Sequence, residues 1–290
     1  MLPRVLGVAA AVALALAPVP ADAAVVLEGP YLKLQISDLG TIGPGLDEGF
    51  GILVDRRGTS RHAIDILNGL RHEGFAVFSE ETGTVENANG IAGFGDGSVR
   101  EIDGVVTWQG RFGDFLEIAH SFSLDPSGLT IVVETTITAL QDLTGVVFGR
   151  SIDPSPDASL ETDPGIDPFE TDNTRGGVGF DPARRVFGLG PLTGIGIALI
   201  DLTQGSGANT GVSDFCCATD VPGAAAGYGP RFPLFERGDF GLQMAWRIGD
   251  LAAGESVAIQ YLYQVEVPEP ASLALLGLGL AALALARRRA

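Results

Sequence analysis

Five aspartates crowd one proline-rich stretch: Asp153, Asp157, Asp163, Asp167 and Asp172, with Asn173 beside the last. Carboxylates and turn carbonyls are the ligands calcium takes, about six to eight oxygens at a time. The spacing matches neither the D-x-D-x-D-G loop of an EF-hand nor a glycine-rich nonapeptide repeat. A solvated acidic loop and a calcium site therefore both stand as readings, and calcium is the one cofactor the residues suggest.

Other reactive side chains are sparse. His62, His72 and His120 are the only histidines, and no H-E-x-x-H or G-x-S-x-G pattern accompanies them. His72-Glu73 with Glu80 makes a conceivable site. His120 shares a two-residue period with Leu116, Ile118, Phe122 and Leu124, which predicts a core histidine. Trp108 and Trp246 have faces that could stack on a sugar, but both lie in apolar strand patterns and are expected in the core. The only cysteines, Cys216 and Cys217, are adjacent and lack C-x-x-C spacing. A strained bond between neighbours, two free thiols, and intermolecular pairing or metal binding remain open.

The elements that must position these groups alternate with a period of two. Leu32, Leu34 and Ile36 oppose Lys33, Gln35 and Ser37, as in a half-buried strand. Strands are predicted also at 50–54, 75–79, 104–109, 115–124, 129–139, 145–152, 185–190 and 194–201. Asp125-Pro-Ser-Gly128 is a turn signal that should pair 115–124 with 129–139. Residues 240–248 and 257–265 read as a hairpin closed by Gly249 to Glu255, and 60–70 as one or two helical turns. Residues 153–183 and 203–230 read as long loops. The predicted fold is an all-β antiparallel sandwich, taken as one domain over 24–266.

The chain carries 36 acidic and 18 basic residues, a net charge of −18. Setting aside Arg4, Asp22, Glu269 and the three tail arginines leaves 34 acidic and 14 basic residues, a body near −20. That balance argues against nucleic acid or anionic lipid as a partner, since phosphate binding draws on clustered Lys and Arg.

Both ends are apolar. Arg4, the run Val5 to Ala17 and the small residues Ala21-Asp22-Ala23 fit a signal peptide over 1–23, cleaved after Ala23. At the other end Pro268-Glu269-Pro270 precedes Leu273 to Ala286, which is apolar all round, and then Arg287, Arg288 and Arg289. This run is shorter than the about 20 residues of an ordinary membrane-spanning helix, yet lacks the polar face of a core helix. It is predicted to form a short transmembrane helix with its arginines at the cytoplasmic surface.

Residues 267–290 resemble the PEP-CTERM sorting signal of exported Gram-negative bacterial proteins. The resemblance implies export across the inner membrane, recognition by an exosortase, removal of the tail near Pro-Glu-Pro, and a place in the envelope, on the cell surface or in the extracellular matrix. The family is associated with exopolysaccharide and biofilm. A second resemblance, through Gly149 to Asp157, Thr171 to Thr174 and Asp65 to Phe75, is to exported PEP-CTERM proteins of unassigned activity and implies a β-sandwich. Ser155 stands where those proteins carry a middle aspartate.

The expectation is a non-enzymatic structural or binding protein whose partners are the exosortase, the secretion machinery and extracellular polysaccharide. The alternatives are a polysaccharide-modifying enzyme, lyase or mutarotase-like, and a calcium-dependent adhesive module. A cleft where Arg, His and Glu side chains converge would favour the enzyme. A flat polar surface would favour binding.

Overall fold

A computed structural model describes residues 24–44, 49–67, 73–88, 91–95, 97–158, 160, 167, 169–175, 181–203, 207–213, 221 and 235–268. The signal-peptide residues Ala21 and Ala23, His72, Asp163, Cys216, Cys217, Glu269, Pro270 and Arg287 to Arg289 lie outside them.

The strands form three sheets, and every pairing among the described residues is antiparallel. A small sheet runs β1 (Val25–Glu28), β2 (Leu32–Ile36), β3 (Ile52–Val54), β4 (Ile64–Asp65). A six-stranded sheet runs β16 (Gly207–Ser213), β18 (Gly241–Leu251), β12 (Leu143–Ile152), β5 (Glu73–Ser79), β6 (Gly83–Ala88), β7 (Ile91–Ala92). The nine-stranded sheet runs β17 (Phe235–Gly238), β13 (Thr171–Arg175), β14 (Arg185–Leu189), β15 (Gly196–Asp201), β19 (Ser256–Glu266), β11 (Thr130–Ala139), β10 (Leu116–Leu124), β9 (Val105–Phe112), β8 (Ser98–Ile102).

Alternation decides what each sheet turns inward. From the six-stranded sheet come Phe75, Val77, Phe148, Ile152, Leu242, Met244 and Trp246; from the nine-stranded sheet, Trp108, Ile118, Phe122, Val133, Ile137, Ile259, Tyr261 and Tyr263. These side chains and those of the small sheet form one cluster. The expected antiparallel pairing of 115–124 with 129–139 is present, with Leu116 opposite Ala139 and Leu124 opposite Ile131.

Three expectations are corrected. β18 and β19 are not a hairpin: β18 pairs with β12 and β16, β19 with β11 and β15, so the short connection between them crosses from one sheet to the other. Both strands carry an apolar row, and those rows meet across the interior, with the Trp246 and Tyr261 rings 5.0 Å apart; Gly241 to Trp246 of β18 are buried on both faces. The helical turn expected over 60–70 is replaced in its described part by β4, paired with β3. Asp65 accepts from the backbone N–H groups of Gly51 (3.3 Å) and Leu67 (3.0 Å), a local bonding pattern that competes with helix. Both predicted long loops contain a strand, β13 in the first and β16 in the second, recruited by pairing with β14 and β18.

Candidate functional site

Arginine, histidine and glutamate do converge, but at the centre of the sandwich. Glu73, Arg150 and His120 occupy inward positions of β5, β12 and β10, and each is at most 1% exposed. Arg150 Nε and Nη2 donate to Glu73 Oε1 (2.5 Å) and Oε2 (3.0 Å). Ile42 N–H donates to Oε2 (2.6 Å), and the Tyr263 hydroxyl donates to Oε1 while accepting from Arg150 Nε (3.0 Å). The turn over 37–43 closes this end of the core, its Gly40 carbonyl accepting from Arg150 Nη2 (3.3 Å).

Since a guanidinium can only donate, Arg150 Nη1, 3.5 Å from His120 Nε2, makes that nitrogen the acceptor. The ring proton then sits on Nδ1 and is donated to Thr135 Oγ1 (2.9 Å). Burial, reinforced by the Arg150 charge, pushes the His120 pKa well below its ordinary value, so the imidazole is neutral. Burial, the largest single influence, would favour losing the Arg150 proton, but Glu73 together with Tyr261 and Tyr263 outweighs it and the guanidinium pKa is raised. Burial likewise lifts Tyr261 to about 12 and Tyr263 well above its ordinary range. With Phe75 and Phe122 rings 5.4 and 5.5 Å from the guanidinium, this is a satisfied, closed polar network and not a solvent-reachable centre. The sequence expectation of a core histidine holds, as does that of two core tryptophans.

The opposite face of the nine-stranded sheet is open. There a groove of about 650 Å³ is lined by Ser98, Gln109, Arg111, Glu117, Thr136 and Thr138, with glycines and Ala119 as its floor. They are the outward residues of neighbouring strands: Arg111 stands opposite Glu117 and Glu117 opposite Thr138, and Ser98 stands opposite Gln109. Arg111 Nη1 lies 3.7 Å from Glu117 Oε1, and its Nη2 lies 2.9 Å from Asp114 Oδ1. Sequence reading missed these residues, because outward positions of a two-faced sheet look like ordinary solvated polar positions.

The four described aspartates, Asp153, Asp157, Asp167 and Asp172, have separate surroundings. Asp157 is buried and accepts from the N–H groups of Leu192 and Thr193, both at 2.8 Å, so it fastens the turn at 190–194. Asp172 is ion-paired with Arg237, and Asp167 caps the N–H of Phe169. Among the described residues no group of three or more His, Cys, Asp or Glu side chains is arranged to hold a metal.

Asp153 is different: it is buried, and its Oδ1 has no hydrogen-bond partner. Burial and then the Asp239 charge push its pKa up to about 6. A raised folded-state pKa means that the stabilising contribution is full below the unfolded value near 3.8 and is lost as pH rises through about 6. Asp153→Asn is therefore expected to flatten the pH dependence of stability between those values and to add about 2 kcal/mol at neutral pH. Denaturant unfolding at several pH values measures this, and an unchanged pH profile counts against it. A rise in the wild-type midpoint with calcium, absent in the variant, would instead favour the calcium reading.

With the geometry in hand, the chain is first of all an antiparallel β-sandwich. Residues 266–289 match the PEP-CTERM protein-sorting motif, so this sandwich is an exosortase substrate, exported across the inner membrane and sorted to the envelope or surface. Of the motif only Val267 and Pro268 beyond β19 are described. No curated protein matches the chain. Among solved structures, a galactose mutarotase related enzyme from Lactobacillus acidophilus is similar at 10% identity and a TM-score of 0.44, covering 84% of this chain and 97% of its own. The 4-alpha-glucanotransferase from Thermococcus litoralis is similar at 8% identity and a TM-score of 0.44, covering 83% of this chain and 37% of its own. At that distance the likeness bears on neither activity nor substrate.

Proposed function

We propose that this exported protein is a non-enzymatic binding module of the cell surface or extracellular matrix that holds polysaccharide on the outer face of its nine-stranded sheet. The observation that supports the reading is the groove: a broad sheet surface of hydroxyl, amide and small side chains, with donors and acceptors in rows at strand spacing. Sugar hydroxyls are bound by such convergent polar groups on a preformed surface. Its charged side chains, Arg111 and Glu117, face each other, while the neutral His120 lies on the other side of the sheet and out of reach. Glu117, held against Arg111, is the one carboxylate lining the groove, and no second acid or base stands beside it among the described lining residues, which favours binding over the mutarotase-like or lyase reading.

The test is calorimetric titration of the protein with extracellular polysaccharide from its own cells, alongside Gln109→Ala/Thr136→Ala. Affinity is expected to fall roughly tenfold, the effect of losing one or two hydrogen bonds. Equal binding by the variant would remove the groove from the proposal. Accelerated anomer exchange of free aldoses, or cleavage of the polymer, would move the protein to the enzymatic reading.

A further inference from the structure

Outside the groove, one surface feature runs against the charge of the whole molecule. The loop between β3 and β4 carries Arg56, Arg57 and Arg61, on a body whose net charge is near −20. These three, with Asp55 and Thr59, line a second groove of about 570 Å³. The one aspartate among them is occupied: Asp55 accepts from the N–H groups of Arg57 (2.9 Å), Thr59 (2.6 Å) and Arg61 (2.9 Å) and from the Thr59 hydroxyl (2.8 Å). Those bonds make the loop a fixed scaffold for its exposed arginines. Elsewhere the basic groups are mostly committed, Lys33 to Glu28, Arg184 to Asp201, Arg185 to Glu266 and Arg237 to Asp172.

Position gives this loop its meaning. Arg56 Nη2 donates to the Thr193 carbonyl (2.6 Å). The next residue, Gly194, has left-handed backbone (φ +66°), and a Cβ built on it would lie 2.9 Å from Pro268 Cγ. Pro268 opens the Pro-Glu-Pro motif, so the sorting tail leaves the body one residue away from the arginine loop. We infer that loop 55–63 is the face by which the membrane-tethered form of the protein rests on anionic phospholipid head groups.

The inference builds on the reading of Leu273 to Ala286 as a membrane anchor. Near the tether, arginine forks meet lipid phosphates, to which they bind bidentately. The rest of the surface is repelled by the same negative charge, so the field selects one orientation. Beyond about one Debye length, roughly 8 Å at physiological salt, that selection fades, which is why closeness to the tail exit matters.

The test uses the full chain reconstituted in nanodiscs of phosphatidylcholine alone or mixed with phosphatidylglycerol, followed by trypsin cleavage after Arg57 and Arg61. Cleavage is expected to be roughly tenfold slower in the anionic discs, within the scale of one fivefold step in partition per arginine near the surface. The protection should disappear at high salt. A protein that co-elutes with both discs and is cut equally fast in each overturns the orientation and leaves the anchor standing. A protein that elutes apart from the discs overturns the anchored state, and the orientation with it.

Discussion

Arg150→Met is expected to lower the stability of the sandwich by about 3–5 kcal/mol, the cost of leaving one member of a buried ion pair without the other. Glu73 would keep two donors, Ile42 N–H and the Tyr263 hydroxyl, but lose the bidentate guanidinium that neutralises it. His120 would also lose the donor to Nε2. The informative partner is the double variant Glu73→Leu/Arg150→Met, which removes both charges and should recover part of the loss: an apolar pair avoids the cost of a buried charge, while Ile42 N–H and the Tyr263 hydroxyl lose their acceptor. Denaturant unfolding of the two proteins reads the difference. A single variant within 1 kcal/mol of wild type would mean that the network is not sealed from water, and would reopen the question of a buried reactive centre.

Trp108→Ala should be nearly as damaging, by about 3–5 kcal/mol, the range for truncating a large core aromatic. The indole lies against the His120 ring (centroids 5.3 Å apart, near parallel) and edge-on to Phe75 (5.4 Å), and its Nε1 donates to the Asp38 carbonyl (2.5 Å). Three glycines, Gly40, Gly97 and Gly110, surround it so closely that a Cβ on any of them would overlap the ring. Having no side chains, they cannot collapse into the space the indole leaves, which places the loss toward the upper end. Trp246, also buried, remains as the fluorescence reporter. A loss near 1 kcal/mol would show that the turn at 37–43 can close over the gap.

How much of this was legible in the sequence depends on what alternation can encode. Strands that bury one face, such as β10, β11 and β19, announce themselves through rows like Leu116, Ile118, His120 and Phe122. Alternation is silent about partners, and that is why β18 and β19 read as a hairpin while lying in different sheets. Strands such as β13 (Thr-Asp-Asn-Thr-Arg) and β16 (Gly-Ala-Asn-Thr-Gly-Val-Ser) have no apolar row and exist because neighbouring strands offer them hydrogen bonds. The Arg150 network was hidden for a similar reason: its members are spread over residues 73 to 263, and nothing local ties Glu73 to Tyr263. The acidic stretch drew attention by composition, whereas the structure gives Asp157 and Asp172 separate local partners.

The place of β19 has a consequence for the order of events during export. It sits between β15 and β11 in the middle of the nine-stranded sheet, yet it is the last strand of the body and ends two residues before Pro268. Without it the sheet is two separate four-stranded halves, and Tyr261 and Tyr263 are missing from the core. A chain emerging amino end first therefore cannot complete its sandwich until the sorting motif itself is arriving at the membrane.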